Sequence, residues 1–293
     1  MKALDPSVRE RLSFVQVGTD RVDLRLFPDF LLIGPQRTAT TWMHDCLCRH
    51  PQVFMPDVKE IYYFNALEWP GAYPSWMKPF SPELSWYLDH FEPSPKERQR
   101  REKECLAAWG EEFAPQARGE ATASYAAGLS EKVIDDIVAL NPAIKVVLVI
   151  RNPIERAWSH AKKDLALERG RSASEVSDEE FIEFTSQYYQ VACGRYSRIL
   201  DLWRPRLQPD ALLIERFERV AQDPQGLLLD VLRFLGLRAD PKYVGLEAER
   251  HTNPTAASPI PSAVNAVLHE LFAGELEWLA AQGWQWPENA RTL

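Results

Sequence analysis

Apolar and polar residues follow two different periods along this chain of 293 residues, and each period predicts one kind of element. Short apolar runs predict buried strands at 30–33, 145–151 and 211–214, and residues 118–121 are expected to form a further short strand. Apolar residues spaced three or four positions apart predict helices, at 40–49, 96–109, 130–140, 153–168, 179–203 with a break near Gly194, 215–235 and 262–282. Strands that alternate with helices predict an α/β fold, in which helices cover both faces of a central parallel sheet.

Length and composition predict one domain that spans residues 1–293. Residues 1–28 are expected to form an N-terminal arm, in which the alternation at 21–26 predicts an edge strand or an extended segment. Residues 66–117 are expected to form an insertion rich in Trp, Tyr and Pro that leads into a charged helix. Its aromatic side chains either form a lid or platform for an acceptor molecule or fill the space between helices.

The formal net charge of −8 argues against nucleic acid and anionic membranes as the main partners. A local positive pocket is nevertheless predicted by five basic residues, which are Arg37, Arg151, Arg156, Lys162 and Lys163. The sequence has neither a membrane-spanning apolar run nor an apolar secretion signal, so we expect a cytoplasmic protein without a membrane span. The four cysteines lack metal-binding spacing, so we expect packing roles for them and no bound metal.

The segment from Asp29 to Trp42 combines a predicted strand, a turn and the start of a helix. Gly34 and Pro35 end the strand, and the helix begins at Thr40 or Thr41. Backbone N–H groups at a helix start have no carbonyl partner within the helix, and the helix dipole adds partial positive charge there. The turn therefore predicts an anion site, which the threonine hydroxyls and Arg37 can complete.

The phosphate-binding pattern G-x-x-x-x-G-K-[ST] can be laid over residues 34–41 of this segment. Gly34 and Thr41 match the pattern, whereas Ala39 replaces its second glycine and Thr40 replaces its lysine. The cation nearest to the turn is Arg37, three positions before the missing lysine, so it approaches the anion from the loop.

A second segment, from Lys145 to His160, also joins a predicted strand to a helix. The strand ends on Arg151, Pro153 suits the first turn of the helix, and Ser159 follows two turns later. Because ligands of parallel sheets bind at the carboxyl ends of the strands, we expect this arginine to lie near the first turn.

Together the two segments resemble the sulfotransferases that use 3′-phosphoadenosine 5′-phosphosulfate (PAPS). The resemblance implies a P-loop-like three-layer fold, PAPS as donor and 3′-phosphoadenosine 5′-phosphate (PAP) as product. It implies that the 5′-phosphosulfate lies on the loop that contains Gln36, Arg37, Thr38, Ala39, Thr40, Thr41 and Trp42. It places the 3′-phosphate on Arg151 and Ser159, with Tyr196 as a candidate beside the adenine and Arg250 as a candidate in a closing loop.

The segment Lys59-Glu-Ile-Tyr-Tyr-Phe-Asn65 resembles the part of heparan sulfate and related carbohydrate sulfotransferases that contains a glutamate base. The resemblance implies that Glu60 is the base and that Arg37 stands where those enzymes have a loop lysine. Ala121 stands where they have a second active-site lysine. His160 and His44 are competing candidates for the base, because histidine titrates near neutral pH.

Two other classes of function share the predicted fold. A nucleoside triphosphate kinase or hydrolase requires the missing lysine and a magnesium site. A non-catalytic nucleotide-binding module is the second class, since three positions depart from the pattern. For a sulfotransferase, the sequence leaves several acceptors open: a glycan, a lipid, a polyketide chain or a small natural product.

Overall fold

The computed structural model describes residues 4–18, 22–69, 80–244 and 258–286. Its centre is a parallel sheet of five strands in the order β2-β3-β1-β4-β5. The strands are β1 (Phe30–Gly34), β2 (Val53–Phe54), β3 (Ala117–Ala121), β4 (Lys145–Ile150) and β5 (Leu212–Arg216).

Helices connect and cover these strands. The α-helices are α1 (Pro6–Arg9), α2 (Thr40–Cys48), α3 (Tyr63–Glu68), α4 (Leu84–Asp89), α5 (Pro95–Trp109), α6 (Tyr125–Gly128), α7 (Glu131–Leu140), α8 (Pro153–Leu165), α9 (Asp178–Ser186), α10 (Tyr188–Ala192), α11 (Tyr196–Trp203), α12 (Arg219–Gln222), α13 (Pro224–Leu235) and α14 (Ser262–Ala281). Short 3₁₀ helices span Leu24–Leu26, Leu167–Arg169, Ala173–Glu175, Arg204–Arg206 and Pro241–Tyr243. Within the described residues, none of the helices combines the length and the apolar composition needed to cross a membrane.

Successive side chains of a strand point to opposite sides of the sheet. All five residues of β1 and all but the first residue of β4 are buried, so these strands are covered on both faces. In β1, Leu31 and Ile33 belong to a cluster with α4, α7 and α11. Phe30 and Leu32 belong to a cluster on the other face, with α2 and α13. Helices therefore cover both faces, and the predicted α/β, P-loop-like three-layer fold is confirmed.

The strand order creates a crevice at the carboxyl end of the central strand. From β1 the chain adds β3 and β2 on one side and β4 and β5 on the other. In open α/β sheets, ligands bind where the strand order reverses in this way. The two predicted anion-binding segments follow β1 and β4, so the fold brings them to this crevice.

The N-terminal arm differs from its prediction in one segment. The alternation at 21–26 predicts an extended segment, but Leu24–Leu26 form a 3₁₀ helix. The Asp23 carboxylate accepts a hydrogen bond from the Arg25 amide and so favours a turn over a strand. Residues 19–21 lie outside the described part of the chain.

Aromatic residues of the 66–117 insertion divide between the core and the surface. Tyr87 is fully buried and stacks on Tyr63, with 4.5 Å between the ring centroids. Trp69 is 61% exposed. Tyr73 and Trp76 lie outside the described residues. Some rings of the insertion therefore fill the core, as one of the two interpretations expects, whereas a lid or an acceptor platform stays a prediction.

Candidate functional site

The loop after β1 is shaped by three residues with left-handed backbone angles. Gly34 has φ 97°, and a Cβ at this position would overlap the carbonyl oxygen of Ala123, so only glycine is accommodated. Arg37 and Ala39 have φ 69° and 66°. Within the loop, the Thr38 hydroxyl donates to the Pro35 carbonyl at 2.7 Å. The loop is thus fixed by its own backbone and by a buried internal hydrogen bond.

Ala39 caps α2 at its N-terminus in the left-handed conformation. A left-handed alanine costs about 1–2 kcal/mol relative to the right-handed form, and glycine would avoid this cost. The conformation itself is nevertheless retained, which explains how alanine replaces the glycine of the phosphate-binding pattern. The first amides of α2 have no carbonyl partner within the helix and face the direction from which an anion would approach.

Arg151 follows β4 directly and is 5% exposed. Its guanidinium carbon lies 4.3 Å from the centroid of the Phe217 ring, a cation–π contact. The Tyr196 hydroxyl accepts a hydrogen bond from the Arg151 amide at 3.1 Å. An aromatic ring and a buried tyrosine thus hold the arginine at the end of the strand.

Direct contacts join the two anion-binding segments. Arg37 Nε donates to the Ser159 hydroxyl at 3.0 Å, and Arg151 Nη1 donates to the Arg37 carbonyl at 3.2 Å. Arg151 Nε is buried and has no hydrogen-bond partner among the described residues. A buried donor without a partner is costly, so this atom marks a place where an acceptor such as a phosphate oxygen would be favourable.

A third cation, Lys162, lies one helical turn after Ser159 on α8 and is 7% exposed. Burial and the nearby charges of Arg151 and Arg37 lower the pKa of Lys162 to about 8. Burial also lowers the pKa of Arg37, although the charges of Asp164 and Glu168 oppose this change. Repulsion among three cations is relieved when an anion binds between them.

Gln36 and Arg156 connect the loop after β1 to α10. The Gln36 amide exchanges hydrogen bonds with the Tyr189 hydroxyl at 2.7 and 3.0 Å. Arg156 is fully buried and donates to the Gln190 carbonyl at 2.8 Å and, at 3.5 Å, to the Gln36 carbonyl. Arg156 was predicted as part of the positive pocket, and its position shows that it connects the loop to α10.

Glu60 lies on a loop that hydrogen-bonds to the end of β3, where its amide donates to the Ala121 carbonyl at 3.0 Å. Its carboxylate accepts hydrogen bonds from Lys59 Nζ and from the Tyr62 hydroxyl. Burial raises the pKa of Glu60, but the Lys59 charge and these hydrogen bonds outweigh burial and lower the pKa below its ordinary value. Glu60 is therefore an oriented, ionised carboxylate at neutral pH.

The last turns of α8 lie close to both the glutamate and the loop arginine. The charge of Lys163 helps to lower the pKa of Glu60. The charge of Asp164 opposes the lowering of the pKa of Arg37 and helps to raise the pKa of Tyr62. Charged residues at this end of α8 therefore act on Glu60, Tyr62 and Arg37, so the glutamate and the loop arginine share one electrostatic environment.

The two histidine candidates are engaged elsewhere. His160 Nε2 lies 3.4 Å from the Asp164 carboxylate, and Nδ1 faces Arg156 Nη1 at 3.4 Å. Burial lowers the pKa of His160. His44 Nε2 lies 3.1 Å from the Pro56 carbonyl. Both rings are buried with both nitrogens near protein groups, so neither is as well placed as Glu60 to accept a substrate proton.

Other sequence candidates have different positions. Trp42 is 3% exposed and belongs to the hydrophobic cluster that includes α13, so its indole packs α2 into the core. Thr40 is buried and Thr41 is half-buried at the helix start. Tyr196 has no exposed surface, which favours its support of Arg151 over contact with adenine. Arg250 lies outside the described residues.

Two residues of the site were missed in the sequence. Tyr62 has φ 56°, and this left-handed turn brings its hydroxyl back to Glu60. Phe217 lies beside Arg151 because Ile150 pairs with Arg216 and the next residues of both strands are then neighbours, a register that only the structure shows. Lys162 was expected only as part of a general positive pocket.

Comparisons with known proteins give one consistent result. Residues 28–241 match a family model described as "Sulfotransferase family". The bifunctional heparan sulfate N-deacetylase/N-sulfotransferase 4 of Mus musculus is 24% identical over 229 residues, which are 74% of this chain and 23% of that protein. The membrane-associated sulfotransferase kil1 of Dictyostelium discoideum is 24% identical over 185 residues, which are 62% of this chain and 33% of that protein.

Among solved structures, a sulfotransferase from Alicyclobacillus acidocaldarius superposes with a TM-score of 0.62 at 21% identity. The match covers 87% of this chain and 95% of that one, and at this identity it concerns the fold alone. The chain spans only a quarter to a third of the length of the two curated relatives.

Proposed function

The chain belongs to the sulfotransferase family, and from this premise we propose that it transfers a sulfuryl group from PAPS to an acceptor hydroxyl. The products are PAP and a sulfated acceptor, which is a carbohydrate, a lipid or a small natural product. The observation that supports PAPS most strongly is the direct contact between the loop after β1 and the residues after β4, through Arg37, Ser159 and Arg151.

PAPS carries anionic groups at two ends of its ribose, and the two segments provide a place for each. Arg151 and Ser159 would hold the 3′-phosphate, with Lys162 as a further cation. The α2 amides, Thr41 and Arg37 would hold the 5′-phosphosulfate. The buried Arg151 Nε and the lowered pKa of Lys162 are consistent with a polyanion at this place.

The proposed reaction resembles phosphoryl transfer in its dependence on positioning and charge stabilisation. The acceptor oxygen forms a bond to sulfur, while the bond between sulfur and the bridging phosphate oxygen breaks. Glu60 takes the proton of the acceptor hydroxyl, and Tyr62 and Lys59 hold the carboxylate in place. Arg37 stabilises negative charge on the departing phosphate by electrostatics, because arginine does not release a proton at neutral pH.

Lys162 makes donor binding depend on pH. A bound phosphate favours the charged amine and raises its pKa, so binding takes up a proton above pH 8. The phosphates of PAP are fully ionised above about pH 7. We therefore expect PAP affinity to be constant up to about pH 8 and then to fall by up to roughly tenfold per pH unit. Calorimetric titrations across this range measure the fall.

Lys162→Arg is the control, because arginine keeps its charge through this pH range. Its PAP affinity should hold above pH 8 where that of the wild type falls. An equally steep fall in the variant would show that another group causes the pH dependence.

The proposed function is tested with PAPS labelled in its sulfuryl group and with a panel of alcohols, phenols and sugars. We expect label to move to at least one acceptor and PAP to form in equal amount. A protein that binds PAP but transfers label to none of these acceptors would favour the non-catalytic module. Transfer of phosphate from labelled ATP would favour the kinase.

A further inference from the structure

A cavity of about 520 Å³ lies between α3, α6 and α10, beside Gln36 of the loop after β1. Its volume is within the range of roughly 300–1,000 Å³ that is usual for small-molecule sites. Tyr62 and Gln36 line the cavity. The Tyr62 hydroxyl donates to the Glu60 carboxylate, and Gln36 belongs to the loop after β1. Through Tyr62 and Gln36, the cavity therefore lies next to the proposed base and to the loop after β1.

The walls of the cavity are mainly aromatic and apolar. Tyr189 and Leu129 form buried or half-buried walls, and the small residues Ala127 and Gly128 leave the space between them open. Trp69 and Tyr188 are 61% and 71% exposed, so their rings present large apolar faces to an entering molecule. Flat ring systems pack well against such faces.

Polar groups of the lining are largely paired with one another. The Ser124 hydroxyl donates to Asn65 Oδ1 at 2.6 Å, and Asn65 Nδ2 donates to the Gly128 carbonyl at 3.1 Å. Glu68 accepts a hydrogen bond from the Ser130 amide at 2.9 Å. Of the lining that the structure describes, only the Ser130 hydroxyl is buried without a partner. A sugar ring would lose most of its hydrogen bonds to water here and gain few in return.

The charge of the lining also disfavours an anionic polysaccharide. Among the described lining residues the charged side chains are Arg198 and Glu68, which have opposite signs. Arg198 lies over the Tyr188 ring, with 5.7 Å between the guanidinium carbon and the ring centroid. A polyanionic polysaccharide is attracted by a basic protein surface. This protein has a formal net charge of −8, so its overall charge does not attract such a ligand.

From the cavity, its lining and its position we propose that the acceptor is a compact, flat phenol that enters between Tyr62, Tyr189 and Leu129. This inference rests on the proposed sulfotransferase function and names its acceptor class. The phenolic oxygen attacks sulfur, the bond from sulfur to the phosphate oxygen breaks, and the phenolic proton passes to Glu60. The Ser130 hydroxyl can bind one polar group at the far end of the phenol.

The chemistry of Glu60 agrees with this acceptor class. The pKa of Glu60 is lowered, so its carboxylate is a weak base. Phenols resemble the tyrosine side chain, whose pKa of about 10 lies well below that of aliphatic alcohols. A weak base removes a proton more readily from the more acidic hydroxyl.

The test measures binding of a naphthol to the protein loaded with PAP, so that it does not require turnover. We expect saturable one-to-one binding by calorimetry and no saturable binding of an unsulfated glycosaminoglycan oligosaccharide. Ala127→Phe fills the cavity and should weaken naphthol binding at least tenfold, while PAP affinity stays within about twofold. Trp69→Ala, at an exposed position, should weaken it several-fold. Ala107→Phe, on the exposed face of α5, is the matched control and should have no effect.

The outcomes separate the two proposals. Absence of PAP binding would overturn the proposed function itself. Normal PAP binding with no bound naphthol, or with glycan bound instead, would overturn only the acceptor class. Naphthol binding that Ala127→Phe and Trp69→Ala both leave unchanged would show that the phenol binds elsewhere and would overturn the assignment of this cavity.

Discussion

Glu60→Gln is expected to lower the single-turnover rate of sulfuryl transfer by about 10²–10⁴-fold, which is the usual contribution of a general base. Glutamine keeps the size of the side chain, its oxygen can still accept from Lys59 and its NH2 can donate to the Tyr62 hydroxyl, but it cannot take up the acceptor proton. PAP affinity should change little, since Glu60 makes no proposed contact with the nucleotide. Rapid-quench measurement with labelled PAPS gives the rate, and calorimetry gives the affinity.

His160→Ala and His44→Ala are the controls for the other candidate bases. Both should retain a rate close to that of the wild type, apart from losses in stability caused by their burial. The wild-type rate should stay constant through neutral pH and fall only as pH drops below 4.5, because the pKa of Glu60 lies below that ordinary value. A Glu60→Gln rate within about threefold of the wild type, or a rate that falls as pH drops through about 6.5, would remove Glu60 from the mechanism.

Arg151→Ala is expected to weaken PAP binding by about 1.5–3 kcal/mol, or roughly 10- to 150-fold. The loss should be much smaller for adenosine 5′-phosphate, because Arg151 is proposed to contact the 3′-phosphate. The guanidinium is held by Phe217 and the strand end, so its removal takes away a donor group that is already oriented. Titration of both nucleotides against wild type and variant measures the difference.

Arg216→Ala is the matched control, because Arg216 ends the neighbouring strand but lies over Trp286 and donates to the Gln285 carbonyl. It should leave both affinities unchanged. Arg151→Lys should recover only part of the binding, since a lysine keeps the charge but loses the planar set of donors. If Arg151→Ala weakens the binding of both nucleotides equally, Arg151 does not contact the 3′-phosphate.

The central strands and the two loops could be predicted because their signals are local. The apolar runs before Gly34 and Arg151 each end at a residue that stops the strand, and a helix start follows within a few positions. Parallel strands bring both carboxyl ends to one edge of the sheet. The approach of Arg37 to Ser159 follows from this topology, although its distance could be measured only in the structure.

Positions that depend on side-chain direction or on left-handed turns could not be predicted in this way. Glu60 and Tyr62 both have positive φ, and no residue near them signals such a turn as glycine would. Tyr196 is the first residue of α11, but the direction of its ring depends on how α11 packs in the hydrophobic core. The pKa of Lys162 depends on two arginines that are distant in sequence.

The most direct test of the proposed donor compares PAP without magnesium with ATP and magnesium as ligands in thermal unfolding. PAP at a hundred times its dissociation constant should add about 2.7 kcal/mol of stability, because it binds only the folded protein. ATP with magnesium at the same concentration should add much less, since Thr40 replaces the lysine that triphosphates require and ATP has no 3′-phosphate for Arg151. A shift in unfolding temperature with PAP that clearly exceeds the shift with ATP and magnesium is the predicted result. An equal or larger shift with ATP and magnesium would contradict the assignment of this site to PAPS.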